Sequence, residues 1–188
     1  MNNFIYTHKT NLLRIKRLLN ALLKFDLVKY PTPELDRRIK FLKNNAVSVV
    51  LDVGANIGQY GSELRSIGYK RKIISFEPTK DAYKKLSSLS KKDKNWTTLN
   101  HSLGEFDGDS EINISKNSVS SSILNSLPQL IESAPNSKYV AKEKISVKKL
   151  DTIFRDLQLD NDTIYLKIDT QGYENMVLNG ALDSLKKI

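Results

Sequence analysis

Asp52, Gly54 and Gly58 stand in the run Val49-Val50-Leu51-Asp52-Val53-Gly54-Ala55-Asn56-Ile57-Gly58, where an acid and two glycines follow closely on a row of aliphatic residues. Glycines after such a row mark backbone that turns sharply and passes close to something else. Their spacing is G-x-x-x-G, not the G-x-G-x-x-G of a dinucleotide fingerprint. The acid points the same way. A pyrophosphate seeks a helix N-terminus without a carboxylate beside it, whereas a ligand with an ammonium and a sulfonium is attracted to one. S-adenosylmethionine carries both. Glu77 lies nineteen residues after Gly58, at the end of the run Ile73-Ile74-Ser75-Phe76. A carboxylate there can accept hydrogen bonds from ribose hydroxyls; the alternative is a solvated strand end.

A second acid and glycine turn closes the run Ile164-Tyr165-Leu166-Lys167-Ile168-Asp169-Thr170-Gln171-Gly172-Tyr173-Glu174. Two buried strands that both end in acids and glycine turns are what a switch-point cleft in a parallel sheet requires. Asp169 and Glu174 therefore face the place where chemistry would occur, with Asp169 first as a base toward a hydroxyl nucleophile. Glu174 has an equal claim to a structural role, stabilising a helix N-terminus through its dipole. His101 is a third candidate base, weakened by the missing carboxylate that would orient it. A divalent ion held by Asp169 and doing the work of the base is the alternative. The chain has no cysteine and two histidines, which excludes disulfides, thiol catalysis, cysteine-ligated zinc and a histidine-rich metal site.

These residues need strands and helices to position them. The 188 residues suffice for one domain with a sizeable core, and 39% hydrophobic with 27% charged residues is an ordinary globular composition. The near-continuous apolar run from Val47 to Val53 predicts a strand covered on both faces. Tyr60, Leu64 and Ile67 at helical spacing predict the helix after it. Ile73–Phe76 is the next strand, and Thr79 caps a helix carrying Ala82, Tyr83, Leu86 and Leu89. Trp96–Leu103 reads as one third strand, broken by Gly104, whose C-terminal end with Ser102 lies near the adenine of the ligand. Asp107-Gly108 is a hairpin turn signal before the alternating Glu111–Ile114. The serine-rich loop Asn117–Leu124 leads into a helix that Pro128 joins in its first turns, with a possible role over the ligand. Residues 144–148 form a short strand, Asp151-Thr152 opens a helix over Ile153, Phe154 and Leu157, and a last helix runs through Met176, Val177 and Leu178 to Gly180.

The net charge of +9 is unevenly placed, because residues 1–45 hold ten Lys/Arg and three Asp/Glu, or +7 of it. Within this arm Leu12, Ile15, Leu18, Leu19, Leu22 and Leu23 fall on one helical face, with Arg14, Arg17 and Lys24 on the other. The preferred reading is a cover helix packed against protein. Contact with an anionic membrane surface is the alternative, and nucleic acid is disfavoured for want of interleaved aromatics. After Tyr30-Pro31, Thr32 and Pro33 cap and start a second helix with Leu35, Ile39 and Leu42 on its inner face. No apolar run approaches the roughly 20 residues of a membrane span, and the N-terminus lacks the order of a signal peptide. The expected location is the cytoplasm.

Four motifs, Asp52–Gly58, Phe76-Glu77-Pro78, Ser102-Leu103-Gly104 and Leu166–Glu174, resemble in their order the FkbM family of methyltransferases. The resemblance covers residues 46–188 and leaves 1–45 as a basic helical arm. It implies an α/β, Rossmann-like class I fold with a mostly parallel central sheet, flanking helices and an inserted hairpin. It also implies S-adenosylmethionine as cofactor and O-methylation of a sugar, glycan or natural product. Asp52, Gly54 and Gly58 would hold the methionine part, Asn56 would orient the cofactor and Glu77 would hold the ribose. Such domains continue with further strands where this chain stops at Ile188. The expectation is therefore a sheet incomplete at the C-terminus, with an open edge prone to self-association. The rival readings are a non-catalytic binding module of the same fold and, behind it, an NAD-dependent oxidoreductase.

Overall fold

The structure is a computed structural model describing residues 15–22, 24, 30–115 and 139–188. The serine-rich loop Asn117–Leu124 and the helix expected around Pro128 lie outside the described residues. The chain divides into two units, residues 1–38 and 39–188. In the first, residues 15–22 are helical, and Thr32 accepts the Leu35 amide on its hydroxyl at 3.3 Å, the expected cap of helix α1 (Pro33–Asn44).

The second unit is built on a four-stranded parallel sheet. Its strands are β1 (Val49–Val53), β2 (Lys72–Phe76), β3 (Trp96–Leu99) and β7 (Ile164–Ile168), in the order β3-β2-β1-β7. Crossovers carry α2 (Gln59–Ser66) and α3 (Lys80–Ser90), so the order of strand, glycine turn and helix is as expected. Helices flank both faces, because side chains alternate along a strand. Val49, Leu51 and Val53 pack with Ile74, Phe76, Phe154 and Val177 on one side. Val50 and Ile73 pack with Leu42, Leu64, Leu86 and Trp96 on the other. Short helices α4 (Leu150–Ile153) and α5 (Glu174–Asn179) contribute Leu150 and Val177 to the first layer. The α/β class with a parallel sheet and flanking helices is thus the observed one.

Four local readings need correction. The run Trp96–Leu103 is not one strand: β3 ends at Leu99, and Ser102–Leu103 forms β4 in a separate three-stranded sheet of order β4-β6-β5. Asp107-Gly108 does not fold β5 (Gly108–Ser115) back onto β4. The antiparallel partner of β5 is β6 (Tyr139–Lys148), which also pairs in parallel with β4 and so lies between them. That choice is non-local, and Asp107 instead accepts the Lys149 amide and the Thr152 hydroxyl. The short strand expected at 144–148 is correspondingly longer. Thr79, finally, sits at the N-cap of α3 without a side-chain cap bond, because its hydroxyl donates to Glu77 Oε1 at 2.6 Å.

The second sheet is fixed against the end of α5 by close backbone approach. A Cβ at Gly180 would strike the Gly104 carbonyl, and Asn179 Nδ2 donates to Glu105 Oε2 at 3.1 Å. Asp151 contributes no cap to its own helix; it accepts the Ser184 amide and hydroxyl at 2.7 and 2.6 Å.

Candidate active site

Parallel register decides which residues meet. Asp52 of β1 is the register partner of Ser75 on β2 and of Lys167 on β7, so three polar side chains lie side by side in an otherwise apolar sheet. Asp52 is fully buried. Its Oδ2 accepts the Ser75 hydroxyl at 3.1 Å, and Trp96 Nε1 donates to that hydroxyl at 3.0 Å. Its Oδ1 lies 2.9 Å from the Lys167 ammonium. A buried carboxylate requires such company, since removing a charge from water without a partner is costly. Burial pushes the Asp52 carboxyl above its ordinary range, and the Lys167 charge and the Ser75 hydroxyl offset only part of that.

At the C-terminal ends of β1 and β7 opens a cleft of about 300 Å³, lined by Gly54, Ala55, Asn56, Gln59, Tyr60, Glu63, Lys167 and Asp169. Lys167 reaches into it over the Tyr60 ring, 5.3 Å from the centroid. Its ammonium also donates to the carbonyls of Gly54 and Val53 at 3.2 and 3.4 Å and lies 4.0 Å from Asp169 Oδ2. The Asp169 side chain is 55% exposed, and its Oδ1 accepts Gln171 Nε2 at 2.9 Å. Among the cleft residues it is a carboxylate with an open approach.

Glu77 brackets the glycine turn from below. Its Oε2 accepts the Asn56 amide at 2.8 Å, and its Oε1 accepts both the amide and the hydroxyl of Thr79. It is buried, not a solvated strand end, and burial raises its carboxyl against the pull of those donors. Asn100 Nδ2 holds the backbone there by donating to the carbonyls of Glu77 and Pro78. Gly54 and Gly58 have φ of +74° and +92°, in the left-handed region that favours glycine, and Asn56 between them has +49°.

The remaining candidates lie outside the cleft lining. Glu174 Oε1 accepts the Thr170 amide and hydroxyl and the Gly172 amide, so this carboxylate organises the turn after Asp169. Burial works against its ionisation, but these donors outweigh it and lower its pKa. His101 rests on the Phe76 ring, centroids 5.6 Å apart, and its buried Nε2 has no protein partner. Burial and the Lys148 charge lower its pKa, which favours a neutral imidazole. Ser102 is buried in β4, its hydroxyl donating to the Leu103 carbonyl. The structure thus gathers Gly54, Asn56 and Asp169 on one cleft, sets Asp52 and Glu77 beneath it, and places His101, Ser102 and Glu174 elsewhere. Lys167, Ser75, Tyr60 and Glu63 escaped the sequence reading. One signal was available: a lysine inside an apolar strand must find a carboxylate.

Residues 52–188 match the family model described as the Methyltransferase FkbM domain. The chain belongs to this family. A solved structure, that of the YcgJ protein from Bacillus subtilis, is similar at 26% identity over 36% of this chain and 29% of its own, with a TM-score of 0.30. The chain thus spans under a third of that protein's length. No curated protein matches it. Among the described residues no helix is long and apolar enough to cross a membrane.

Proposed function

We propose that this FkbM-family protein is an S-adenosylmethionine-dependent O-methyltransferase acting on a hydroxyl of a sugar, glycan or natural product in the cytoplasm. The observation that carries the reading is the cleft at the ends of β1 and β7, where the glycine turn and Asp169 face each other. Its charges suit the cofactor. Asp169 and Glu63 line the cleft and bring carboxylates to the place where an ammonium and a sulfonium would lie. Below the turn, Glu77 Oε2 has two lone pairs and one of them takes the Asn56 amide, which leaves an acceptor position for a ribose hydroxyl.

When bound, the cofactor supplies an activated methyl group on a good leaving group, so the protein's work is positioning and removal of one proton. Asp169 is the group placed to take the acceptor hydroxyl proton on Oδ2, since Oδ1 already accepts Gln171. Glu174 holds the Thr170–Gly172 turn that carries Asp169 and acts through it.

Calorimetry with S-adenosylmethionine, S-adenosylhomocysteine and NAD tests the cofactor, and transfer of labelled methyl to a panel of sugars and glycans tests the reaction. Binding of the two sulfur ligands with labelled glycan product is the expected result. Binding of NAD alone would overturn the reading. Tight S-adenosylhomocysteine binding without transfer to any acceptor would favour the non-catalytic module.

A further inference from the structure

The Lys167 ammonium is held mainly at the end of β1: it forms an ion pair with Asp52 Oδ1 at 2.9 Å, donates to the Gly54 and Val53 carbonyls at 3.2 and 3.4 Å, and lies 4.0 Å from Asp169 Oδ2. Asp52, in turn, presents no surface to the cleft; its Oδ1 faces the Lys167 ammonium, its Oδ2 accepts the Ser75 hydroxyl, and Ser75 is held by Trp96 of β3. A continuous polar row therefore crosses all four strands and ends at the glycine turn. We propose that Asp52 and Lys167 are positioning residues: Asp52 anchors the Lys167 ammonium, and that ammonium braces the Gly54 turn against the end of β7, setting the width of the cleft between the turn and Asp169.

This differs from the role the family resemblance implies for Asp52, direct contact with the methionine part of the cofactor. A residue with no exposed surface, whose oxygens already meet an ammonium and a hydroxyl, acts on a ligand through its partner. The brace also accounts for a lysine in a buried strand. An aliphatic residue at 167 would satisfy β7 packing but would leave Asp52 as an unpaired buried charge and the Gly54 carbonyl without the Lys167 ammonium.

The binding part of the test rests on the cofactor reading; the exchange part does not. Five chains are compared: wild type, Lys167→Ala, Lys167→Met, Asp52→Asn, and the double variant Asp52→Asn/Lys167→Met, in which the pair is replaced by neutral groups of similar size so that the fold survives if the single variants fail. Native-state amide exchange is read at Gly54 and Ala55, whose N–H groups donate to the Phe76 carbonyl. The brace predicts at least tenfold faster exchange at these two amides in every variant, beyond any change at core amides of β2. Propylammonium, which matches the three carbons and the nitrogen removed in Lys167→Ala, should slow it again. S-adenosylhomocysteine affinity should fall at least tenfold in each folded single variant, and by no more in the double variant, since residues acting as one unit are non-additive. Additive losses from Asp52→Asn and Lys167→Met would show direct contact of Asp52 with the ligand and overturn the proposal. Unchanged exchange at Gly54 and Ala55 would overturn it as well. A wild type that binds no S-adenosylhomocysteine yet shows faster exchange in the variants would leave the brace standing and sink the cofactor reading alone.

Discussion

A Cβ built on Gly54 would fall on the carbonyl oxygen of Asp169. The first residue of the glycine turn thus has its missing side chain occupied by the strand end that carries the candidate base. Glycine is required there by backbone packing as well as by its φ of +74°.

Gly54→Ala should therefore cost about 2 to 4 kcal/mol, combining left-handed strain with forced separation of the β1 and β7 ends. Gly68 is the control, because its φ of +88° is similar but no atom lies within 4 Å of an added Cβ. Gly68→Ala should cost only about 1 kcal/mol. Urea denaturation of the two variants measures the difference, and equal losses would show that the contact with Asp169 does not matter.

Asp169→Asn should lower methyl transfer by about a hundredfold or more, as expected for loss of a general base. S-adenosylhomocysteine affinity should stay within about threefold, since the amide keeps the shape of the cleft. Parallel loss of both would reassign Asp169 to cofactor binding. Glu174→Gln should affect both through the Thr170–Gly172 turn, whose two amides and one hydroxyl its Oε1 accepts.

Glu77 makes stability depend on pH in a defined sense. Burial raises its folded carboxyl above the ordinary value of 4.5, opposed by the Thr79 and Asn56 donors. The folded state then binds the proton more tightly than the unfolded chain. The stability this group contributes is fully present below 4.5 and is lost as pH rises through the raised folded value. Glu77→Gln should flatten that decline in thermal scans taken at pH values upward from the ordinary value of 4.5. An unchanged slope would show that the Glu77 carboxyl titrates alike in both states.

Arg65 ties α2 to the approaches of β2 and β3. Its Nε meets Asp93 Oδ2 at 2.6 Å, one terminal nitrogen donates to the carbonyls of Tyr69 and Arg71, and the other to Asn95. A lysine cannot reproduce this fork. Arg65→Lys should cost about 1 to 2 kcal/mol, read as a lower urea midpoint with an unchanged slope. Loss below about 0.5 kcal/mol would place the site among ordinary surface ion pairs.

Much of this protein was legible in its sequence wherever the deciding interaction is local. The apolar runs around Leu51, Ile74 and Leu166 specify buried strands by composition alone, and the glycines after Val53 specify a turn whatever lies beyond it. Thr32 could be read as a cap because its partner, the Leu35 amide, is three residues away. The order of strand, turn and helix around Asp52 therefore needed no tertiary knowledge.

What the chain order could not convey is which distant residues share a register. Asp52 and Lys167 are separated by 114 other residues, and only the pairing of β1 with β7 turns an acid read as a ligand contact into the anchor of a lysine. Glu174 and Asp169 look alike in sequence, yet the turn between them supplies three donors to one and leaves the other open to the cleft. The Asp107-Gly108 signal likewise marked a real break without naming the strand that would pair after it. Local propensity acts through neighbours a few residues apart. The burial, charge pairing and access that separate a base from a brace are set by strands brought together from opposite ends of the domain.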